Sequence, residues 1–286
     1  LVEEQIRIAR RHMPKGYSRE LPCLLNSPSA GLPRVYDIAL EIISHGDGRV
    51  DSENLSRFVA AYQTVSTLNL GELWAIPIML RLALIENLRR VATRIAAASI
   101  DYNLANAWAE RMVTVAETDP KNLVVVLADM ARSQPPMSTS FVSEFTRQLQ
   151  GHGLTLALPL SWIEQVLAES GLTIEQLIQS GNQHQAADQV SISHSIGSLR
   201  LLGGMDWREF VESMSIVEQI LRQDPSRIYG KMDFATRDRY RHAIEKITKR
   251  SSLTEAEVAR NVVLLAHEAQ AAAHPRGGER SAHVGF

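Results

Sequence analysis

The stretch Asn69-Leu-Gly-Glu-Leu-Trp-Ala-Ile-Pro-Ile-Met-Leu-Arg-Leu-Ala-Leu-Ile85 gives the clearest indication of the fold. Asn69 and Glu72 have the spacing of a capping box, in which two residues satisfy each other's free backbone N–H groups at a helix start. The segment that follows is mostly apolar, contains Pro77 and Arg81, and is too short to cross a bilayer. We therefore predict a buried core helix that continues to about Ala97, with a kink at Pro77 unless the regular helix starts there.

Helical signals of the same kind recur along the chain, whereas the alternation typical of strands is absent. Asp101 is predicted to cap a following helix, and Gly181 is predicted to interrupt the helix of residues 173–202. Thr254-Glu-Ala-Glu257 is a second capping box, at the start of a helix over 255–273. The chain is therefore predicted to be all-α, as a multi-helix array or bundle of about eleven helices with no significant β-sheet.

Proline and glycine clusters divide the chain into four predicted segments. Residues 1–33 form an N-terminal helix and a proline-rich connector, and residues 34–202 form the main helical domain. Residues 203–273 form a C-terminal helical group packed on that domain. Residues 274–286 form a tail leading towards a missing downstream segment. The chain starts inside a helical pattern without a methionine, so we expect a piece of a larger protein.

Composition and motifs limit the chemistry that we expect. The hydrophobic content of 45% and charged content of 22% are those of a globular protein, and the net charge of -2 does not favour nucleic acid as a partner. The single Cys23 rules out an internal disulfide. The sequence contains no phosphate-binding glycine loop, no nucleophile elbow and no metal-ligand spacing. We therefore predict no catalytic, cofactor-binding or metal-binding residue.

Charged residues within apolar helical stripes are the features that remain. The segment from Tyr229 to His242 belongs to a predicted helix that starts near Asp233. Such a helix would place the following residues on one stripe: Phe234, Arg237, Tyr240, Ala243, Ile244 and Ile247. A guanidinium in apolar surroundings needs a partner; Asp233, one turn before Arg237, is the nearest candidate, and Asp238 is adjacent to Arg237 in the sequence. One interpretation is an arginine held ready for a phosphate or carboxylate. The interpretation that we favour is an internal ion pair that fixes the helix register.

A second arginine is also predicted to lie within an apolar stripe. Trp74, Ile78, Arg81 and Ile85 fall on one stripe of the long helix, so Arg81 is expected to be buried. Glu72 lies too far along the helix to pair with it, so a tertiary partner is needed. We therefore expect the following residues to stabilise the fold or to contact another domain: Trp74, Arg81, Asp233, Arg237, Tyr240 and Arg241.

Three stretches of the sequence resemble a known protein family. They are Arg34-Val-Tyr-Asp-Ile-Ala-Leu-Glu-Ile-Ile-Ser-His-Gly-Asp-Gly-Arg49, Gly71-Glu-Leu-Trp-Ala-Ile-Pro-Ile-Met-Leu-Arg-Leu-Ala-Leu-Ile-Glu-Asn-Leu-Arg-Arg90 and Met232-Asp-Phe-Ala-Thr-Arg-Asp-Arg-Tyr-Arg-His242. They closely resemble the N-terminal helical region of bacterial cyclic β-1,2-glucan synthases. The resemblance implies a very large inner-membrane parent that uses UDP-glucose. The chain lacks the Asp-x-Asp and Gln-x-x-Arg-Trp signatures of such transferases, so the resemblance implies no catalytic residue here.

From this resemblance we expect the chain to be a non-catalytic helical module on the cytoplasmic face of the inner membrane. We expect it to pack on or regulate the glucosyltransferase domain. The expected partners are the remaining domains of the parent. A membrane surface is a further candidate partner, through the basic residues Arg7, Arg10, Arg11, Lys15 and Arg19, although a solvated helix face explains these residues equally well.

Two other functional classes stay open at this point. The first is a module that recognises carbohydrate or UDP-glucose, with Trp74, Trp162 and Trp207 stacking on sugars. The second is a helical glycosidase-like domain, which requires two carboxylates at a suitable separation in a cleft. The sequence singles out no such pair.

Overall fold

The part of the chain that the computed structural model describes contains twelve α-helices and three short 3-10 helices. The structure describes residues 2–12, 16, 20–25, 29–152, 154–272 and 283–285. Within these ranges the only strand-like pairing is an isolated bridge between Cys23 and Pro33. The predicted all-α class is therefore confirmed, with one helix more than expected. None of the helices in these ranges combines the length and the apolar character that a membrane crossing requires.

The helix bounds follow in chain order. They are α1 (Val2–His12), α2 (Arg34–His45), α3 (Ser52–Gln63), α4 (Leu70–Thr118), α5 (Leu123–Arg132), α6 (Thr139–Leu149), α7 (Ala157–Glu169), α8 (Ile174–Gly204), α9 (Trp207–Met214), α10 (Ile216–Leu221), α11 (Phe234–Thr248) and α12 (Glu255–Ala272). The 3-10 helices are Pro120–Asn122, Leu154–Leu156 and Tyr229–Lys231.

Both predicted capping boxes are present. The Asn69 N–H donates to Glu72 Oε2 at 3.0 Å, and the Glu72 N–H donates to Asn69 Oδ1 at 2.8 Å. The Thr254 N–H donates to Glu257 Oε2 at 2.7 Å, and the Glu257 N–H donates to Thr254 Oγ1 at 3.3 Å. These reciprocal bonds satisfy N–H groups that have no partner inside a helix, so α4 and α12 begin where the sequence predicts.

Helix α4 is longer than predicted. It continues from Leu70 through Asp101 to Thr118, so the predicted end near Ala97 and the predicted cap at Asp101 are wrong. The sequence between residues 90 and 118 contains neither proline nor glycine and is rich in alanine, which favours an uninterrupted helix. Asp101 therefore lies in the interior of the helix.

The predicted break at Gly181 is also wrong, because α8 is continuous from Ile174 to Gly204. Gly181 instead permits a close approach between α8 and α6. A Cβ atom at Gly181 would lie 2.1 Å from Thr139 Cγ2, which is closer than two carbon atoms tolerate. Thr139 Oγ1 also donates to the Leu177 carbonyl oxygen at 3.2 Å. The glycine is therefore required for packing.

The contacts group the chain into two compact units, Leu1–Ile85 with Ser195–Phe286 (unit 1) and Glu86–His194 (unit 2). The predicted segments 34–202 and 203–273 are a different division, and they stay a prediction about domain organisation. Unit 2 has a core that includes the stacked rings of Phe141 and Phe145, with centroids 5.7 Å apart. Unit 1 has a separate core cluster built from α10, α11, α12 and the buried Tyr229.

Candidate functional site

Asp233 directly precedes helix α11 and acts as its N-cap. Its Oδ1 atom accepts the Thr236 N–H at 2.7 Å, which satisfies a free donor in the first turn. This backbone hydrogen bond lowers the pKa of Asp233. The carboxylate is occupied as an N-cap and makes no ion pair with Arg237 in the described part of the chain. The prediction that Asp233 is the partner of Arg237 is therefore wrong.

The partner of Arg237 is Glu212, which lies on α9. Arg237 Nη2 contacts Glu212 Oε2 at 2.7 Å, and Arg237 Nε donates to Glu212 Oε1 at 3.1 Å. Arg237 Nη1 donates to the Met232 carbonyl oxygen at 2.6 Å. The Arg237 side chain is only 13% exposed, so this bidentate pair is largely shielded from water.

Arg241, one turn further along α11, is fully buried and lies between three acids. Its Nη1 atom donates to Glu218 Oε2 at 2.6 Å and to Glu212 Oε1 at 3.0 Å, and its Nη2 atom donates to Asp238 Oδ1 at 3.1 Å. The guanidinium carbon lies 5.0 Å from the centroid of the Phe234 ring, within the range of a cation–π contact. Burial opposes the charge on Arg241, but the bonds to Glu212, Asp238 and Glu218 outweigh it and raise the pKa.

Glu218, on the short helix α10, joins two further residues to this group. Tyr229 Oη donates to Glu218 Oε2 at 2.7 Å, and Arg222 Nε contacts Glu218 Oε1 at 2.9 Å. Burial, followed by the bond to the carboxylate, raises the pKa of the Tyr229 hydroxyl, which therefore stays a donor. We call the following residues the ionic cluster: Glu212, Glu218, Arg222, Arg237, Asp238 and Arg241.

The ionic cluster is balanced in charge, since three arginines face three carboxylates. Burial by itself would raise the pKa of Glu212, but the hydrogen bonds from Arg237 and Arg241 together lower it. A set of this kind is expensive to break at its buried members, because removal of a buried charge leaves an opposite buried charge with fewer partners. The geometry is that of a helix junction in which α9, α10 and α11 share one set of charges.

Tyr240 contacts the described C-terminal residues. Its ring packs edge-on against Tyr229 and His283, with centroids 5.7 and 5.6 Å away. The Val284 N–H donates to Asp224 Oδ1 at 3.1 Å, and Val284 is buried. Part of the predicted tail of residues 274–286 therefore contacts unit 1, while residues 274–282 and 286 lie outside the described residues.

Arg81 is buried as expected for its stripe, with 8% exposure, but its partners are neutral. Its Nη1 and Nη2 atoms each donate at 2.9 Å, to the carbonyl oxygens of Pro77 and Leu202, and its Nε atom donates to Gln5 Oε1 at 3.1 Å. No ion pair of Arg81 occurs among the described residues, and burial lowers its pKa. The tertiary partner predicted for Arg81 therefore exists, as carbonyl and amide oxygens.

The three tryptophans proposed for sugar stacking lie in packed positions. The Trp74 ring makes an edge contact with Phe234, with centroids 6.4 Å apart. Trp207 packs edge-on against Phe210 and donates from Nε1 to the Leu202 carbonyl oxygen at 3.0 Å. Trp162 packs against the core of unit 2. Their rings are engaged in side-chain contacts within their own units.

Sequence reasoning identified Arg237 and Arg241 but missed Arg222 and two of the acids that pair with these arginines, Glu212 and Glu218. A signal for Glu218 exists, because it lies among Val217, Ile220 and Leu221 on an apolar helix and is buried. An acid in such a position needs a cationic or donor partner for the same reason as an arginine does. Glu212 carries no comparable signal, because α9 also carries the polar residues Arg208, Glu209 and Ser213 and so has no apolar run around Glu212.

Comparison with known proteins supports the resemblance in the sequence. No protein-family model matches the chain. The chain is 30% identical over 285 residues to the cyclic beta-(1,2)-glucan synthase NdvB of Rhizobium meliloti (strain 1021). The aligned region covers 100% of this chain but only 10% of that protein. The chain is therefore a homologue, over its whole length, of a segment of a cyclic β-1,2-glucan synthase.

Proposed function

We propose that this chain is a non-catalytic, cofactor-free helical module of a cyclic β-1,2-glucan synthase. The module packs on or regulates the glucosyltransferase domain of a parent enzyme that makes cyclic glucan from UDP-glucose. Its place is the cytoplasmic face of the bacterial inner membrane, and its partners are the other domains of the parent. The homology to a segment of a named synthase supports the parentage.

The observation that carries the structural role is the closed ionic cluster. The side chains of Arg241 and Arg237 have 0% and 13% exposure, and both arginines already contact carboxylates. An arginine that binds a phosphate or a substrate carboxylate needs free donors that face solvent. The cluster therefore fits the joining of helices better than the capture of a reactant.

An apolar pair on α12 supports the packing role. Leu264 and Leu265 are neighbours on this helix, with 56% and 63% exposure. Exposed leucines that lie together are candidates for contact with another protein surface. We propose that these two side chains contact another domain of the parent.

The test compares the isolated chain with the full-length synthase. The isolated 286-residue chain, incubated with radiolabelled UDP-glucose and a β-1,2-glucan acceptor, should transfer no glucose. In the full-length synthase, the double substitution Leu264→Asp, Leu265→Asp should change product yield or size distribution, because it places charge in an interdomain contact.

The matched control is the double substitution Asn261→Asp, Glu268→Gln, which alters exposed polar positions on the same helix. It should leave the product unchanged. Glucose transfer by the isolated chain would contradict the proposal. So would a full-length synthase whose abundance and product are unaffected by the leucine substitutions.

A further inference from the structure

Residues His283, Val284 and Gly285 form a short segment that packs within unit 1. Val284 is 9% exposed and belongs to the core cluster of α10, α11 and α12. The His283 side chain is 11% exposed. A Cβ atom at Gly285 would lie 2.5 Å from Tyr240 Oη, so the glycine backbone lies directly against that ring. The segment therefore occupies a fitted position, which a side chain at residue 285 would obstruct.

The Asp224 carboxylate connects this segment to the loop that follows α10. Its Oδ2 atom accepts the N–H groups of Ile228 and Tyr229, each at 3.1 Å, and the Ser226 hydroxyl at 2.5 Å. Its Oδ1 atom accepts the Val284 N–H at 3.1 Å, and no other described residue donates to that atom. Asp224 is 3% exposed. Departure of Val284 would therefore leave a buried carboxylate oxygen without its donor, which is costly unless water enters the loop.

Tyr229 connects the segment to the ionic cluster. Its ring packs edge-on against Tyr240, and the Tyr240 ring packs edge-on against His283. Its hydroxyl donates to Glu218 Oε2 at 2.7 Å, and the same oxygen accepts from Arg241 Nη1 at 2.6 Å. The segment therefore acts on Tyr229 in two ways, through the ring of Tyr240 and through the loop carboxylate that holds the Tyr229 N–H.

The attachments of the segment are few. His283 Nδ1 accepts the Gly285 N–H at 2.9 Å, a bond within the segment that does not attach it to the rest of unit 1. His283 Nε2 is buried and has no hydrogen-bond partner among the described residues, and it lies 4.0 Å from Asp224 Oδ2. A buried polar group without a partner opposes docking, because it would regain a bond to water on release. The cost of docking at Nε2 therefore offsets part of the gain at Val284.

We infer that residues 283–285 form a releasable latch, which holds Tyr229 in place when it is docked and thereby stabilises the ionic cluster. Segments with few buried contacts open at a lower free energy than the core to which they attach. Coupling between two sites is reciprocal, so loss of the Tyr229 bond to the cluster should in turn favour release of the latch. The inference goes beyond the proposed packing role, because it gives the helix junction a conformational control of its own.

Release is tested by thiol labelling of the 286-residue chain. Val284→Cys is made together with Cys23→Ser, and its rate of reaction with 5,5′-dithiobis(2-nitrobenzoic acid) is measured. Val263→Cys in the same background is the matched control, because Val263 belongs to the same core cluster but lies within α12. The thiol at residue 284 should react at least about tenfold faster than the thiol at residue 263. Its rate should change little with urea below the unfolding transition, because local opening exposes little surface.

Coupling to the ionic cluster is tested from both ends. Tyr229→Phe removes only the hydroxyl that bonds to Glu218, and it should speed the reaction of the thiol at residue 284 by about three- to tenfold. Asn261→Asp, at an exposed position of α12, is the control and should leave that rate unchanged. Gly285→Ala places a methyl group against Tyr240, and it should raise hydrogen exchange at the N–H groups of Ile228 and Tyr229 while residues 86–194 stay protected.

Three results would overturn the inference, and circular dichroism will verify that each variant folds. The first is reaction of the thiols at residues 284 and 263 at the same rate with the same urea dependence. The second is a rate at residue 284 that Tyr229→Phe does not change. The third is hydrogen exchange in Gly285→Ala that is unchanged in the loop or raised equally throughout the chain. Each leaves the proposed packing role standing, since that role is read from the product of the full-length synthase.

Discussion

Arg241 combines two properties that are costly together, complete burial and a permanent positive charge. Its side chain has no exposed surface, yet Glu212, Glu218 and Asp238 all accept hydrogen bonds from it. Transfer of a charge out of water is unfavourable, and only paired, well-aligned bonds offset that cost. The stability of this junction therefore depends on the whole set of charges.

Replacement of Arg241 by methionine should destabilise the chain strongly. Methionine has a comparable length but leaves the buried Glu218 and the partly buried Glu212 with fewer partners, so we expect a loss of about 3–5 kcal/mol in the free energy of unfolding. Urea denaturation followed by circular dichroism measures this loss. Arg222→Met is the matched control, because Arg222 contacts the same Glu218 but its side chain is 49% exposed, and it should cost no more than about 1 kcal/mol. Equal effects of the two substitutions would contradict the role given to burial.

Glu212 and Asp224 should make the chain sensitive to acid. Both have a pKa below the ordinary value, 4.5 for Glu212 and 3.8 for Asp224, because hydrogen bonds to their ionised forms outweigh burial. On lowering of the pH, the unfolded chain binds protons at these groups before the folded chain does. Their contribution is therefore complete above the ordinary values and is lost as the pH falls through and below them.

The prediction is a fall in the free energy of unfolding below about pH 5. Urea midpoints measured between neutral and acidic pH follow this fall. Glu212→Gln removes one of the two titrating groups, so the variant should be less stable at neutral pH and should show a shallower pH dependence. Parallel curves for the variant and the parent chain would show that Glu212 does not contribute.

Helix α8 illustrates how a glycine inside a helix can serve packing. Gly181 lies against Thr139 of α6, whereas Gly197, in the same helix, has open space at the position of a Cβ atom. Glycine lowers helix stability relative to alanine at both places. The two positions should therefore respond in opposite directions to the same substitution.

Gly181→Ala should destabilise unit 2 by about 1–3 kcal/mol, because the added methyl group overlaps the Thr139 side chain. Gly197→Ala should instead stabilise the chain by about 0.5–1 kcal/mol, since it meets no neighbour. Thermal unfolding of the two variants beside the parent chain measures both effects. Stabilisation by Gly181→Ala would mean that α6 moves aside without cost.

Each of the two units has its own buried cluster, and the clusters have no residue in common. In unit 2 the cluster includes Phe145, and in unit 1 it includes Leu221, both of them buried. Separate cores allow local opening of one region while another stays folded. The units can therefore be tested separately by substitutions in their cores.

Phe145→Ala should cost about 3–5 kcal/mol and reduce hydrogen-exchange protection mainly within residues 86–194. Leu221→Ala, the counterpart in the other core, should cost about 2–5 kcal/mol and act mainly within unit 1. Hydrogen exchange read by mass spectrometry resolves the two regions. Equal loss of protection throughout the chain after either substitution would indicate a single cooperative unit.

The amino-acid sequence was sufficient for the features that depend on near neighbours. Capping boxes, helix periodicity and the all-α class are local, because the interacting groups lie within four positions of each other. The starts of α4 and α12 and the cap at Asp233 were therefore predictable. The predicted end of α4 near Ala97 and the predicted break at Gly181 were wrong, because a single Asp or Gly is a weak local signal that packing and helix continuity override.

Only the tertiary structure decided which charges pair and which helix faces are buried. The predicted stripe of α11 included Ile247, but the Ile247 side chain is half exposed. Arg241, which was not part of that stripe, is buried instead. Glu212 on α9 and Glu218 on α10 draw that face of α11 inward, although they lie 29 and 23 residues from Arg241. Local periodicity identifies a residue that needs a partner, whereas the partner itself is set by chain folding that brings distant helices together.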